Sequence, residues 1–329
     1  MVKTCKSITM KASLHTRIDM HKERLRTRFT GSMIGTAIGD GPGAGFEGLS
    51  GFSEEQVYAV ADRRKVLRYT DDTHMMIGVA ESLIAKNGFD GQHMAKRFIH
   101  NYNWEPFRGY GPGPPRIFAL IEAGEAWDRA SKQIYPGGSY GNGAAMRIAP
   151  VGLFYYDDPQ KLKEVAYQSS QITHAHILGK EGAALQAYAV AMAVNLNPYI
   201  DFDRDGFLKK LIDFAGEDIY KDKLKRMRDL WDNLDKTRAI SELGNGIEAF
   251  TAVPVAIFSF LANPDSFERT LIYAISLGGD TDTIGAMSGA ISGAYLGVES
   301  IPEKWLAKLE NRLYIEPLAE ELCKMKTNP

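Results

Sequence analysis

The run Ile284 to Tyr295 is built almost entirely from Gly, Ala and Ser with a few apolar residues, and it restricts the architecture more than any other stretch. Side chains this small let helix backbones approach one another closely, so the run is expected to form a buried central helix. The rest of the chain agrees with a helical framework. Few stretches alternate apolar and polar residues, and most apolar runs carry helical spacing. Thr173 to Val194 reads as a long buried helix capped by Thr173. Asp71 to Ala85, Phe29 to Ile38 and Phe250 to Leu261, with Pro254 in its first turns, read as further buried helices. Leu271 to Ile275 leads through Ser276 and Leu277 into Gly278-Gly279. Lys221 to Lys236 reads as an exposed amphipathic helix with a solvated face. The expected fold is all-α.

At 329 residues the chain is long enough for one large domain or two small ones at roughly 150 residues each, and no linker separates two halves. The Pro/Gly-rich stretch Arg108 to Pro115 reads as a shaped loop. A single domain over 28–329 is therefore expected, preceded by a basic extension over 1–27. That extension carries Lys3, Lys6, Lys11, Arg17, Lys22, Arg24 and Arg26 against Asp19 and Glu23. It reads either as a solvated, disordered tail or as an organelle transit peptide. A net charge of −2 argues against a nucleic-acid partner, and no apolar run of about 18 residues suggests a membrane span. The two cysteines, Cys5 and Cys323, make neither a disulfide framework nor a zinc site. The expectation is a monomer in a reducing compartment: the cytoplasm, or the nucleus or an organelle in a eukaryote.

Two clusters carry the chemistry. Thr70-Asp71-Asp72-Thr73 and Gly278-Gly279-Asp280-Thr281-Asp282-Thr283 each stand where a helix begins. A helix start favours Thr and Asp as caps, and the first cluster alone needs no more than that. The second exceeds it, since one cap uses one side chain. Two such helix starts, far apart in the sequence, suggest that the acids meet. Gathered carboxylates repel unless cations lie between them, and Asp and Thr oxygens suit Mg²⁺, Mn²⁺ or Ca²⁺. The loop Gly137-Gly138-Ser139-Tyr140-Gly141-Asn142-Gly143 enters a helix and can present N–H groups to an anion; a plain glycine-rich turn is the alternative. Leu243-Gly244-Asn245-Gly246-Ile247 repeats its Gly-Asn-Gly unit. His174 opens a helix, as an ordinary polar end residue or as a hydrogen-bond donor to a ligand. Gly39 to Gly48 reads as a loop, either a disordered turn or a flap that carries Glu47 over the acids.

Taken together and in this order, these segments resemble the ADP-ribosylglycohydrolase family over roughly Thr30 to Pro302. The run Gly-Ser-Tyr-Gly-Asn-Gly with Met146-Arg147 after it, Leu243 to Ile247, and Thr173-His174 resemble the ADP-ribosylserine hydrolase branch more than the ADP-ribosylarginine, dinitrogenase-reductase-activating branch. The resemblance implies an orthogonal multi-helix bundle with two Mg²⁺, or Mn²⁺, in a central cleft. Thr70, Asp71 and Asp72 would hold one ion, Asp280 and Thr283 the other, and Asp282 both. Gly138, Ser139, Tyr140, Gly141 and Asn142 would wrap the diphosphate and adenosine. Gly111 and His174 would contact phosphate or ribose, and Asn245, Gly246 and Ile247 would line the ribose pocket. Two positions depart from the branch. Gly45-Phe46 stand where two aromatics usually precede the flap glutamate. Ile134 stands where an aromatic would cover adenine, so either Tyr135 takes that place or adenine stacks on one face only.

The implied reaction is Mg-dependent hydrolysis at C1 of the distal ribose. Asp280 is the expected proton acceptor, and Glu47 a gate or an acid for the departing serine. The expected partners are ADP-ribosylated proteins or small molecules containing ADP-ribose, including poly(ADP-ribose) and O-acetyl-ADP-ribose. Two other readings stand beside it: an ADP-ribosylarginine hydrolase, and a non-catalytic ADP-ribose-binding or crystallin-like protein.

Overall fold

A computed structural model describes residues 2–231 and 234–327, with side chains from Met20 onward. Helices account for the regular structure, and among the described residues the only β pairing is two isolated bridges, Leu67 with Leu309 and Gly141 with Glu248. The all-α expectation holds.

Two helices form the spine. Thr281–Leu296 is the small-residue helix, and its side chains are buried from Thr281 through Tyr295. It lies antiparallel against the N-terminal helix Val2–Gly43. Gly31, Gly35 and Gly39 on one face Gly293, Gly289 and Gly285 on the other. A Cβ added at any of the six would stand under 3.0 Å from a carbonyl oxygen of the opposite helix. Backbone therefore meets backbone along three successive turns, which only glycine allows. Ser32 reinforces the contact by donating to the Ala290 carbonyl at 2.9 Å.

Other apolar helices surround this pair. Ile177–Asn195 and Ala249–Ala262 pack on Thr281–Leu296 and on each other, with Gln186 donating to the Met287 carbonyl at 2.9 Å. Phe267–Ser276 packs on Thr281–Leu296, and Asp71–Lys86 packs on Gly91–Trp104 and Arg312–Thr327. No helix among the described residues is long and apolar enough to cross a membrane.

Several boundaries differ from the sequence reading. The Thr173 helix starts at Ile177, with His176 as its cap accepting from Leu178 N–H at 3.2 Å; the Thr173 hydroxyl is engaged by Arg147 and His174 instead. Pro254 lies in the second turn of Ala249–Ala262, as expected, although the helix starts one residue earlier than read. Lys221 to Lys236 is not one helix: Asp218–Arg226 tightens into a 3₁₀ turn, Met227–Leu230, and a new helix starts at Lys236. The stretch Gly39 to Gly48 is helical through Gly43, because the glycine contact continues to that point and fixes the backbone. The glycine-rich loop enters a 3₁₀ turn, Asn142–Ala144. Of the basic extension over 1–27, Met1 and the side chains before Met20 lie outside the described residues. Its backbone from Val2 continues into the spine helix, where Leu25 is buried and Arg26 pairs with Glu23 and Glu320.

The glycine contact yields a stability prediction. Gly35→Val pushes a branched side chain into the Gly289 carbonyl and is expected to lower stability by about 1–3 kcal/mol or more. Gly111→Ala, where nothing lies within 4 Å of the added carbon, is expected to stay within about 0.5 kcal/mol of the parent. Urea unfolding midpoints compare the two.

Candidate metal centre and nucleotide cleft

The first acid cluster sits at the start of Asp71–Lys86. Thr70 occupies the cap position, yet its side chain makes no capping bond. Asp40, from the spine helix, caps this terminus across space. Its carboxylate accepts from Thr70 N–H (2.9 Å), Thr70 Oγ1 (2.9 Å), Thr73 N–H (3.1 Å) and Thr73 Oγ1 (2.6 Å). The free N–H groups of a helix start are thereby met by a buried acid, and Asp71 and Asp72 are left free to face the cleft. Sequence reasoning did not assign Asp40 a role. Its signal was a lone acid within an otherwise apolar, glycine-spaced stretch.

The second cluster begins at the turn Gly278-Gly279, where both residues have positive φ (70° and 77°). A side chain at Gly279 would meet Asn245. The turn is tied on two sides. Gly48 N–H donates to the Gly279 carbonyl at 2.9 Å, and Gly279 N–H donates to the Leu49 carbonyl at 3.2 Å. The Asn245 carbonyl accepts from Asp280 N–H at 2.9 Å, and the Asn245 side chain donates to the Leu277 carbonyl at 2.9 Å. Asp280 caps its helix without using its side chain, which accepts a short hydrogen bond from Asn142 Nδ2.

These elements converge. Asp71, Asp72, Asp280, Asp282, Thr283 and Glu47 line one cavity of about 250 Å³. Carboxylate oxygens of Glu47, Asp280 and Asp282 all lie within 4.8 Å of one another. Glu47 is exposed and reaches the buried pair from the turn after the spine helix. The same cavity is walled by Gly109, Gly111 to Pro114, Tyr135, Ser139, Gly141 to Gly143, Met146, Thr173, His174 and Ile247. Tyr135, not Ile134, faces it. A larger cavity of about 420 Å³ lies elsewhere, among Tyr156, Tyr188, Phe202 and Tyr295; it contains none of these acids, so chemistry rather than size marks the site.

The remaining expected residues sit around the cavity rather than on its lining. Thr70 stands behind Asp72, with Oγ1 3.2 Å from Asp72 Oδ2. Gly138 packs on the Ala175–His176 backbone, where a Cβ would not fit. Tyr140 is half exposed, its ring edge-on to His176 at 5.6 Å and tilted against Phe250 at 5.9 Å. Asn245 braces Asp280. Gly246 lies beside Glu248 and Thr251.

The electrostatics of the acids are those of an unneutralised cluster. No Lys or Arg lines the cavity. Burial, then Asp40 and Asp280, pushes Asp71 up to about 7. Burial, then Asp280 and Asp40, pushes Asp282 up to about 9. Asp72 and Asp280 are raised mainly by burial, and Glu47 by burial and Asp280. One oxygen of Asp72, Oδ1, is buried with no hydrogen-bond partner, which is costly for a polar atom. Hard divalent cations satisfy both demands: they fill the empty lone pairs and cancel the repulsion. The donor set of carboxylates and Thr hydroxyls fits such ions and offers no thiolate or imidazole for a softer one.

Comparison with known proteins agrees with this chemistry. The ADP-ribosylglycohydrolase family profile matches residues 21–329. The human ADP-ribosylhydrolase ARH3 is 37% identical over 91% of this chain and 93% of its own length. The Rhodospirillum rubrum ADP-ribosyl-[dinitrogen reductase] glycohydrolase is 26% identical over 87% of this chain and 91% of its own. A solved structure titled as an ADP-ribosylglycohydrolase-related protein complex superposes with a TM-score of 0.73 at 26% identity, covering 92% of this chain and 99% of that one. With the match extending over nearly the whole chain, and both acid clusters meeting in one cleft, this chain belongs to the ADP-ribosylglycohydrolase family.

Proposed function

We propose that the chain hydrolyses the bond between ADP-ribose and a modified protein side chain, with serine as the acceptor, and that it does so with two Mg²⁺, replaceable by Mn²⁺. The observation that carries this reading is that acids from three separate segments line one cavity together with His174 and the Gly141 to Gly143 segment. The preference for serine is supported by the higher identity to the ARH3 proteins, 37% against 26% for the dinitrogen reductase enzyme.

In this proposal Thr70, Asp71 and Asp72 would hold one cation and Asp280 and Thr283 the other, and Asp282 would contribute to both sites. When bound, the cations orient the distal ribose by its hydroxyls and supply electrostatic stabilisation beside C1. Asp280, fixed by Asn142 and the Asn245 loop, takes the proton of the attacking water as the water oxygen bonds to C1. The bond from C1 to the serine oxygen breaks, with positive charge building on the ribose ring. Glu47 stands at the rim with its acidity weakened by burial and by Asp280, so it retains a proton more readily than a free glutamate. It delivers that proton to the departing serine oxygen and regains one from solvent.

Two measurements test the reading. A release assay compares a serine-linked peptide, an arginine-linked peptide, poly(ADP-ribose) and O-acetyl-ADP-ribose, each with and without chelator. Serine-linked release is expected to be fastest and chelator-sensitive, and Asp282→Ala is expected to reduce it by about 10²–10³-fold or more. Arginine-linked release faster than serine-linked would favour the other branch, and no release from any substrate would favour a binding protein.

The second concerns pH. In chelated protein Asp71 and Asp282 are raised above their ordinary value of 3.8, so the folded state holds more protons than the unfolded one. Stability present in acid is then lost as pH rises through about 7 and about 9. The melting temperature of chelated protein is expected to fall by several degrees between about pH 5 and about pH 9. Added Mg²⁺ should reverse the loss and release protons, as calorimetry in buffers of different ionisation enthalpy would record. A chelated protein whose melting temperature stays flat or rises over that range would contradict the electrostatic account.

A further inference from the structure

Arg147 is fully buried behind the cleft, and no carboxylate pairs with it among the described residues. Its guanidinium lies 4.7 Å over the Phe98 ring. Nη1 donates to Thr173 Oγ1 at 2.9 Å and Nη2 to the Ser169 carbonyl at 3.3 Å. Thr173 Oγ1 is also 2.8 Å from His174 Nδ1. Arginine has no acceptor to offer, so the Thr173 oxygen must receive the Arg147 proton. The Thr173 hydroxyl proton then has one partner in reach, His174 Nδ1. If Nδ1 carried a proton of its own, that buried hydroxyl hydrogen would have no acceptor, at a cost of about 1–3 kcal/mol. Protonation of both ring nitrogens is opposed by burial and by the Arg147 charge, which hold the imidazole down at about 3. The remaining nitrogen, Nε2, faces the glycine loop: a Cβ at Gly143 would lie 3.0 Å from it and one at Gly141 3.3 Å.

We infer that Arg147 and Thr173 form a positioning pair that locks His174 in the Nε2–H tautomer, so that the cleft offers a fixed single donor to a phosphoryl oxygen of the ligand. The chain of bonds runs one way, from a cation that can only donate, through a hydroxyl that accepts and donates, to a ring that must donate at its far side. The recognised group is therefore an acceptor. Gly143 packs directly on this ring, where a side chain would collide with it, so the Nε2 edge is met there by backbone rather than by a side chain. The lock itself follows from the hydrogen bonds alone; the phosphoryl assignment rests on the cleft taking ADP-ribose.

The test uses the full-length, Mg²⁺-loaded protein with ¹⁵N-labelled histidine. Long-range proton–nitrogen correlation reads the tautomer, and the His174 signal is identified by its loss in His174→Gln. Wild type and Thr173→Ser are expected to show protonated Nε2 and bare Nδ1. Thr173→Val, which keeps the shape and removes the hydroxyl, is expected to show exchange between tautomers and about tenfold weaker ADP-ribose binding by calorimetry, with Thr173→Ser restoring it. A wild-type spectrum with protonated Nδ1 overturns the lock, and it decides the matter even if the Val variant does not fold. A Val variant with an unchanged tautomer overturns it too. A shifted tautomer with unchanged ADP-ribose affinity overturns the recognition role. Wild type that shows the expected tautomer but does not bind ADP-ribose overturns the proposed function and the phosphoryl assignment together, while the lock stands.

Discussion

Everything at the cleft depends on two helix backbones touching. Where Gly31, Gly35 and Gly39 meet Gly293, Gly289 and Gly285, the two helices have no side chains between them, and their relative register is set by carbonyls against bare α-carbons. Because the helices run antiparallel, the end of one lies against the start of the other. Asp40, Gly43 and the turn carrying Glu47 leave the first helix at the point where Asp280, Thr281 and Asp282 begin the second. The Thr281 hydroxyl donates to the Gly43 carbonyl at 2.8 Å, which fastens that corner. A shift of one helix along the other would separate Glu47 from Asp282 and draw Asp40 away from Thr70 and Thr73.

The acids are then held in place by groups from outside their own helices. Asp40 takes over the capping of Asp71–Lys86, which frees Asp71 and Asp72 from the role a helix start would otherwise give them. Asn245 and Asn142 do the same for Asp280, one through its backbone and the other through its side chain. Such a site is preorganised at the cost of repulsion among its carboxylates, a cost that a bound cation would relieve. The neighbouring wall has the opposite character. Arg147, a buried cation with which no carboxylate pairs among the described residues, lies behind Thr173 and His174.

Much of this was legible in the sequence. The Ile284 to Tyr295 run announced a close helix contact, and both acid clusters stand at helix starts and meet, as read. Its partner is legible as well, since Gly31, Gly35, Gly39 and Gly43 recur at four-residue spacing, although the denser glycines from Gly39 to Gly48 also suit a loop. Helix ends were less legible where tertiary partners override local preference. Thr173 is a good cap by residue type, but its hydroxyl is bound to a side chain from another segment. Asp40 is less legible for the same reason, because capping from a different helix leaves only a lone acid in an apolar, glycine-spaced stretch.

The asparagines show why a motif alone does not separate binding from bracing. Asn142 and Asn245 each stand within a Gly-Asn-Gly unit, and the pattern suggested contact with a ligand in both cases. Asn142 lines the cleft and holds Asp280 at once. Asn245 acts through the Gly278-Gly279 turn, which has no room for a Cβ because the Asn245 carbonyl and side chain already fill the space. The flanking Gly244 and Gly246 pack instead on Thr251 and Glu248, where an added side chain would be crowded. Since Gly48 and Leu49 clasp the same turn from the other side, the segment carrying Glu47 and the loop carrying Asn245 are joined through the residue just before Asp280. The exposed acid and the buried one thus each stand one residue from the Gly48–Gly279 hydrogen bond.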